Sequence, residues 1–89
     1  MVKTIPDYAF KKCNGLIELV IPNSVESIGT NAFEECGGLT TVTIGNSVSL
    51  IGENAFNGCK ALASVKMGES VTTIGKHAFY GCSSLTEIT

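Results

Sequence analysis

The sequence predicts a β-rich solenoid in which one short structural unit is stacked on itself four times. The phrase Ala-Phe-x-x-Cys-x-x-Leu occurs four times, and its copies begin at Ala9, Ala32, Ala55 and Ala78. Each copy begins 23 residues after the previous one. Further apolar columns repeat at the same interval with no insertion. A constant repeat of this length is typical of units that bury their apolar side only against a neighbouring unit.

The repeated apolar positions predict which side chains form the core. The phrase itself supplies columns of phenylalanine, cysteine and leucine. The further columns are Val2, Val25, Val48 and Val71; Ile5, Ile28, Ile51 and Ile74; Leu19, Val42, Val65 and Ile88; and Ile21, Ile44 and Met67. We expect these columns to line the interior of the stack.

The period also predicts the domain organisation. The chain reads as a single solenoid, residues 1–89, with repeats over residues 1–21, 22–44, 45–67 and 68–89. Met1 stands where later copies have Ser24, Ser47 and Ser70. This position predicts a start at a repeat boundary of a longer parent array. Neither end carries a recognisable polar cap.

Each repeat contains a predicted strand. Val42 and Ile44 alternate with Thr41 and Thr43, and alternation with period two is typical of a half-buried strand. Thr41 and Thr43 are therefore expected to face solvent.

A turn and a second extended piece follow this strand. Residues 45–47 read Gly-Asn-Ser, which is turn chemistry. Residues 48–51 are then apolar and β-branched at the first and last positions. We expect this piece to form a second strand on another side of the coil.

The phrase Ala-Phe-x-x-Cys predicts a short helical turn. Asn31 lies three residues before Glu34, the spacing of a capping box, which favours one helical turn through Cys36. Tyr8, Asn54 and His77 hold the same cap position in the other repeats. Pro6 replaces the glycine that precedes this segment elsewhere, which predicts a different entry into the turn of the first repeat.

The pattern resembles the BspA-like, or Treponema-type, leucine-rich repeats over essentially the whole chain. Leu39, Val42 and Ile44 match the strand segment Leu-x-x-Val-x-Ile of leucine-rich repeats. The following Ser-Val-x-x-Ile-Gly and Ala-Phe-x-x-Cys mark the BspA-like type. The resemblance implies a right-handed leucine-rich repeat coil with a parallel β-sheet on one face. It also implies an extracellular or cell-surface parent protein of bacterial origin, with an adhesive role.

Composition argues against two classes of partner. Six basic and eight acidic residues give a formal charge of −2, and no basic stripe is present for a phosphate backbone. We expect no nucleic-acid binding. No apolar run approaches the roughly 20 residues that span a bilayer, and the chain shows no targeting signal. We expect no membrane insertion.

The four cysteines predict a reduced, buried ladder. Cys13, Cys36, Cys59 and Cys82 form a straight column without a Cys-x-x-Cys pair, and a column cannot surround one tetrahedral zinc. We therefore expect no metal site. A disulfide between adjacent coils stays an alternative, because a coil spacing of about 5 Å suits the Cα separation of a disulfide. Parallel Cβ directions would strain that bridge.

No catalytic constellation stands out in the sequence. His77 is the single histidine, and a general base needs a nucleophile and an orienting partner within hydrogen-bond reach. No carboxylate pair or phosphate-binding glycine loop is present. The sequence predicts that the chain is not an enzyme and uses no cofactor.

The outward positions of the main predicted sheet form two columns on one face. They are Glu18, Val20, Thr41, Thr43, Ser64, Lys66, Glu87 and Thr89. In leucine-rich repeats this face is the usual contact surface, and repeat proteins bind through such extended faces. The alternative is that Thr and Ser occupy these positions because they suit a strand surface.

Two functions follow and stay open. The first is a non-enzymatic protein-interaction module from a bacterial cell-surface or secreted adhesin-like protein, whose protein ligand the sequence does not identify. The second is a structural or engineered solenoid block that self-associates as a homo-oligomer through its uncapped ends. Exposed strand edges and uncovered apolar layers at the ends favour such association.

Overall fold

The computed structural model describes residues 3–89, which form four stacked coils with two parallel sheets. The predictions for Met1 and Val2 lie outside the described residues. Each coil contributes one short strand to each sheet, and the strands of neighbouring coils pair through equivalent positions of the repeat. This arrangement confirms the predicted β-rich solenoid with a parallel sheet on one face.

The main sheet contains the strands predicted from the Thr-Val-Thr alternation. Its order is β2, β4, β6 and β8, and the strands are Glu18–Val20, Thr41–Thr43, Ser64–Lys66 and Glu87–Ile88. Val42 is buried, while Thr41 and Thr43 are half-buried and point to the other side of the sheet. The alternation in the sequence thus identifies the inner and outer faces correctly.

The second sheet lies on another side of each coil, as the sequence predicts. Its order is β1, β3, β5 and β7, and the strands are Thr4–Ile5, Ser27–Ile28, Leu50–Ile51 and Thr73–Ile74. Ile28 and Ile51 are fully buried between the two sheets. Two-residue strands are stable here because each pairs with its equivalents in the neighbouring coils.

The core consists of the predicted columns, but burial depends on the position of the coil. In the second and third coils the members of these columns are buried except Met67, which is half-buried, whereas several terminal members remain exposed. Phe10 is 45% exposed at one end, and Ile74 and Ile88 are 50% and 51% exposed at the other. Within residues 3–89 the first and fourth coils have a neighbouring coil on one side only, and their apolar layers are uncovered on the other.

The phenylalanine column forms a continuous aromatic stack. The ring centroids of Phe10, Phe33, Phe56 and Phe79 lie 5.2, 5.2 and 5.4 Å apart, and consecutive rings are within 6° of parallel. Phe33 and Phe56 are almost completely buried, at 1% and 0% exposure. The ring separation records the distance between coils inside the core.

The predicted helical turns are wrong. The six residues 31–36 and their equivalents, hereafter the turn arc, contain no helix within residues 3–89. Asn31 and Glu35 both have φ of 58°, a left-handed conformation that a right-handed helix cannot contain. Asn31 is therefore not an N-cap, and the capping-box interpretation fails with it. Tyr8, Asn54 and His77 share this backbone conformation, with φ of 62°, 58° and 60°.

Hydrogen bonding to the next coil explains why the turn arc is not helical. The N–H groups of Asn31, Phe33 and Glu35 donate to carbonyls of the following coil at 2.9, 2.8 and 2.7 Å. The intervening Ala32 and Glu34 donate three residues back, both at 3.3 Å. A helix would direct all these N–H groups along its own axis.

Within residues 3–89, no helix is long and apolar enough to cross a membrane.

The entry into the first turn arc is the same as in the other coils. Ala9 N–H donates to the Pro6 carbonyl at 3.2 Å, and Ala32 N–H donates to the Gly29 carbonyl at 3.3 Å. The expectation that Pro6 changes this turn is therefore wrong. Proline fits because its fixed negative φ suits the path that the chain already follows.

We predict that Phe33→Ala or Phe56→Ala destabilises the chain by about 3–5 kcal/mol, because each leaves a cavity in the aromatic stack. Thr41→Ala, on the outer side of the main sheet, should change stability by no more than about 0.5 kcal/mol. Urea unfolding followed by circular dichroism measures both. Equal changes for the Phe and Thr variants would contradict this assignment of the inner and outer sides.

A second prediction tests the left-handed positions of the turn arc. Glu35→Gly should cost less stability than Glu34→Gly by about 1 kcal/mol, because glycine adopts positive φ without the Cβ penalty. Each glutamate faces one lysine of the previous coil, Glu34 with Lys11 at 3.3 Å and Glu35 with Lys12 at 3.8 Å, but Glu34 is the more buried. Each glycine variant is therefore compared with the alanine variant at the same position. Similar losses for both variants would indicate a helical segment instead.

Candidate protein-binding face

The strand register brings the eight predicted face residues into two adjacent columns. In the first column Glu18 pairs with Thr41, Thr41 with Ser64, and Ser64 with Glu87. The second column pairs Val20 with Thr43 and Thr43 with Lys66. Thr89 continues it, because Met67 N–H donates to the Thr89 carbonyl at 2.8 Å. All eight residues therefore lie on one face of the main sheet.

The face differs in exposure along the stack. Val20 is 63% exposed, and Glu18, Lys66, Glu87 and Thr89 are also exposed. Thr41, Thr43 and Ser64, in the middle of the sheet, are half-buried. The central positions thus form a low, hydroxyl-bearing strip, and the larger side chains stand at its ends.

An exposed apolar residue, Val20, lies at the first coil of this face, at 63% exposure. Ile17, which directly precedes β2, is also exposed, at 59%. Ile17 was not among the residues predicted for the face. Its column continues as Thr40, Ala63 and Thr86, and this loss of apolar character hides the position from a search for repeated core residues.

A groove of about 430 Å³ runs beside the second column and extends the face. Its wall includes Val20, Thr43 and Lys66 together with Asn23 and Asn46 from the turn that follows the strands. The Asn23 Oδ1 accepts the N–H of Asn46 at 2.9 Å. Sequence reasoning missed these two asparagines, although they occupy the same position in consecutive repeats and that coincidence could have identified them.

The remaining candidates for chemistry do not converge on one site. His77 lies in the last turn arc, exposed, with its ring 4.9 Å from that of Tyr80 and tilted by 57°. Within the described part of the chain, no group of three His, Cys, Asp or Glu side chains is placed to hold a metal ion. The absence of a cofactor or metal site stays a prediction.

The four cysteines form a ladder of free thiols, with Cys36 and Cys59 fully buried. Cys36, Cys59 and Cys82 donate their S–H to the Phe10, Phe33 and Phe56 carbonyls, each at 3.2 Å. These are the phenylalanine carbonyls of the previous coil. The thiols thereby contribute to the contact between coils, besides filling core volume.

Position in the ladder separates the thiols chemically. Burial raises the pKa of Cys36. Cys59 is fully buried, whereas Cys82 in the last coil is half-buried. Only an accessible thiolate is a good nucleophile, and Cys82 is therefore the more reactive of this pair.

Parallel strands in a constant register, with an exposed main-sheet face, define a leucine-rich repeat solenoid. Residues 2–89 match the family described as BspA type leucine rich repeat region (6 copies), and the chain belongs to this family. This match confirms the resemblance seen in the sequence. A search of curated proteins gave no match.

Solved bacterial leucine-rich repeat proteins share the fold. The chain is 34% identical to a leucine-rich repeat protein from Bacteroides ovatus, with a TM-score of 0.91 over 96% of this chain and 22% of that one. A leucine-rich cell-surface protein from Faecalibacterium prausnitzii is 30% identical, with a TM-score of 0.70 over 98% of this chain and 29% of that one.

A Treponema pallidum leucine-rich repeat protein is also similar. It is 28% identical, with a TM-score of 0.63 over 98% of this chain and 51% of that one. The chain thus spans between about a fifth and about half of the length of these structures. The likeness therefore concerns the repeat unit and its stacking.

We predict four free thiols when the denatured chain is titrated without reductant. In the folded chain at neutral pH, alkylation of Cys82 should proceed at least about tenfold faster than that of Cys59, because Cys59 is fully buried and Cys82 is only half-buried. Peptide mapping by mass spectrometry after timed alkylation measures each site. Two or no free thiols would contradict the ladder, and equal rates would contradict the assigned difference in access to the two thiols.

Proposed function

We propose that the chain is a non-enzymatic protein-interaction module of a bacterial cell-surface or secreted protein, and that it contacts its partner through the main-sheet face. The observation that carries this proposal is the in-register face itself, which places eight outward side chains in two columns along the stack. Extended faces of this kind are the binding surfaces of repeat proteins.

Val20, at the first coil, supports this use of the face. It is 63% exposed on the outer side of β2, although it is a β-branched apolar residue. Burying it would contribute at most about 1.5–3 kcal/mol. The hydroxyl-bearing strip and the asparagines of the groove supply hydrogen-bond donors and acceptors near it.

The composition of the face favours adhesion by many weak contacts. The face carries no Trp, Tyr or Arg, the residue types enriched at interface hot spots. Each coil therefore contributes little affinity alone. Many coils or many copies acting together raise the total binding strength, because the later contacts form at high effective concentration. This behaviour suits an adhesin-like surface protein.

Family and neighbours support the class and the location. The chain belongs to a family of repeat scaffolds, and the similar Faecalibacterium protein is described as a cell-surface protein. Within residues 3–89, His77 has an aromatic neighbour in place of a nucleophile, which supports a binding role over a catalytic one.

The uncovered ends support a second candidate, a block that self-associates. Phe10, Ile74 and Ile88 are each about half exposed at the two ends of the stack. Covering such layers with another chain would form a homo-oligomer and would need no separate ligand. Solution mass across concentration distinguishes this candidate from binding through the main-sheet face.

Val20→Asp should abolish surface binding if the main-sheet face is the contact site. Fluorescent beads that each carry many copies of the chain provide the avidity, and epithelial cell layers provide a protein-rich surface. The expected result is at least about a tenfold loss of bound beads, since the change places a charge in the buried part of an interface. Lys66→Glu should also reduce binding.

Leu50→Asp is the matched control for this experiment. Leu50 is an exposed apolar residue on the outer side of the second sheet, at 42% exposure. Beads with this variant should bind as well as unmodified beads. Equal loss for the Val20 and Leu50 variants would show adsorption without a preferred face, and no binding by unmodified beads to any surface protein would overturn the proposed function.

A further inference from the structure

The backbone hydrogen bonds that join the turn arcs of successive coils all point in one direction along the stack. Tyr8, Phe10 and Lys12 of the first coil donate to the second coil, at 3.0, 2.8 and 2.8 Å. Asn54, Phe56 and Gly58 of the third coil donate to the fourth, at 3.0, 2.7 and 2.7 Å. In the turn arc, each coil is thus the donor to the coil after it and the acceptor from the coil before it.

This direction gives the two ends of the stack opposite chemistry. In the fourth coil the N–H groups of His77, Phe79 and Gly81 occupy the donor positions and have no backbone acceptor within residues 3–89. In the first coil the acceptor positions are the carbonyls of Asp7, Ala9 and Lys11, which receive no backbone N–H from the described residues. One end presents three donors, and the other presents three acceptors.

These two ends are complementary, and on this basis alone copies of the chain would stack head to tail. Head-to-tail contacts do not close and can grow into open filaments. Two like ends facing each other would instead oppose donors with donors. The turn arc therefore favours only a coil that arrives in the same direction.

A column of glycines shows how closely such a coil must approach. A Cβ at Gly29 would lie 2.7 Å from the Ile5 carbonyl oxygen, and a Cβ at Gly52 would lie 2.7 Å from the Gly29 carbonyl carbon. At Gly75 the nearest atom would be the Glu53 nitrogen, at 2.4 Å. The backbone of the preceding coil occupies the place of the side chain, and only glycine fits.

Pro6 heads this glycine column, in the one described coil that has no coil before it. Its ring carries the Cβ that the later coils exclude. It also lacks the N–H through which Gly29, Gly52 and Gly75 donate to the previous coil, at 2.8, 2.8 and 2.7 Å. Proline at an exposed strand edge is a common protection against pairing.

We propose that Pro6 closes the first side of these four coils to a coil of the same repeat type, and that the far side of the fourth coil is their docking end. The partner that this end fits is another coil of the same repeat type, in the same direction, with carbonyls at the turn-arc positions and glycine in the Gly75 column. The first coil of a second copy has the carbonyls but carries Pro6. Wild-type chains therefore do not grow head to tail. This inference concerns the ends and stands whether or not the main-sheet face binds a partner.

Sedimentation across concentration tests the closure with three single variants. Pro6→Gly removes the Cβ and restores the N–H, and its mass should rise with concentration beyond that of two chains. Pro6→Ala restores the N–H but keeps a Cβ, and it should behave as the wild type. The wild type should be no larger than a dimer at any concentration.

Pro22→Gly is the matched control for the loss of a proline. Pro22 occupies the same column as Gly45 and Gly68. In a head-to-tail stack of two copies, the residue that would pack against Pro22 of the second copy would come after Thr89 of the first. Nothing in the first copy therefore packs against Pro22. This variant should therefore resemble the wild type in mass. Growth of the wild type beyond a dimer would overturn the closure, and failure of folded Pro6→Gly to grow would overturn the docking end.

A C-terminal extension tests the docking end without altering the first four coils. The chain is extended by a second copy of residues 67–89, which continues the register after Thr89. Hydrogen exchange at the His77, Phe79 and Gly81 amides should slow at least about tenfold, because each gains a carbonyl partner. With proline in place of the glycine that corresponds to Gly75 in the added coil, exchange should stay fast. Equal exchange in the two extended chains would overturn the proposal.

Discussion

Direct contact between the backbones of successive coils is the constraint on which the rest of this structure depends. The aromatic stack sets a separation of 5.2–5.4 Å between equivalent rings, which is close to the spacing of paired strands. At that separation each side chain in the interior lies on its own equivalent in the next coil. An interior column must therefore stay apolar, and a side chain is excluded where two backbones touch.

Side-chain ladders follow from the same contact. Asn14 and Asn23 each accept a backbone N–H from the equivalent position of the next repeat, at 3.1 and 2.9 Å. Thr40 and Thr86 donate their hydroxyls to the previous coil at 3.0 and 3.4 Å. These bonds repeat because the register repeats. They stabilise the interfaces between coils, since each coil meets only its neighbours.

The sides and the ends of the stack have different chemistry. The main-sheet face is a surface whose outward residues vary between coils, from Glu18 and Val20 to Ser64 and Lys66, while the fold stays the same. At the turn arcs, in contrast, the two ends differ through backbone geometry, because the N–H donors there face one way and the carbonyl acceptors the other. Under the proposed function, variation on the face would change a partner without disturbing the stack. Under the proposed role of Pro6, variation at that position would change which coils can join the stack.

The arc around the phenylalanines shows where local sequence patterns fail. Asn31 and Glu34 have the spacing of a capping box, yet Asn31 adopts positive φ and its N–H donates to a carbonyl of the next coil at 2.9 Å. The second left-handed position is occupied by Lys12 and Glu35 in the first two coils and by Gly58 and Gly81 in the last two. The glycines in that column are a signal for positive φ, but two charged residues at the same position conceal it.

The sequence by itself determined the number of coils, the core columns, the two sheets and the face on which Glu18 to Thr89 would meet. It could do so because a fixed period forces equivalent residues into contact, and the alternation of Thr41, Val42 and Thr43 assigns the sides of the strand. Only the tertiary structure decided the conformation of the turn arc, the groove beside Asn23 and Asn46, and the different chemistry of the two ends. Those features depend on which neighbouring coil each backbone N–H reaches, and a hydrogen-bond partner in the next coil outweighs the local propensity of the segment.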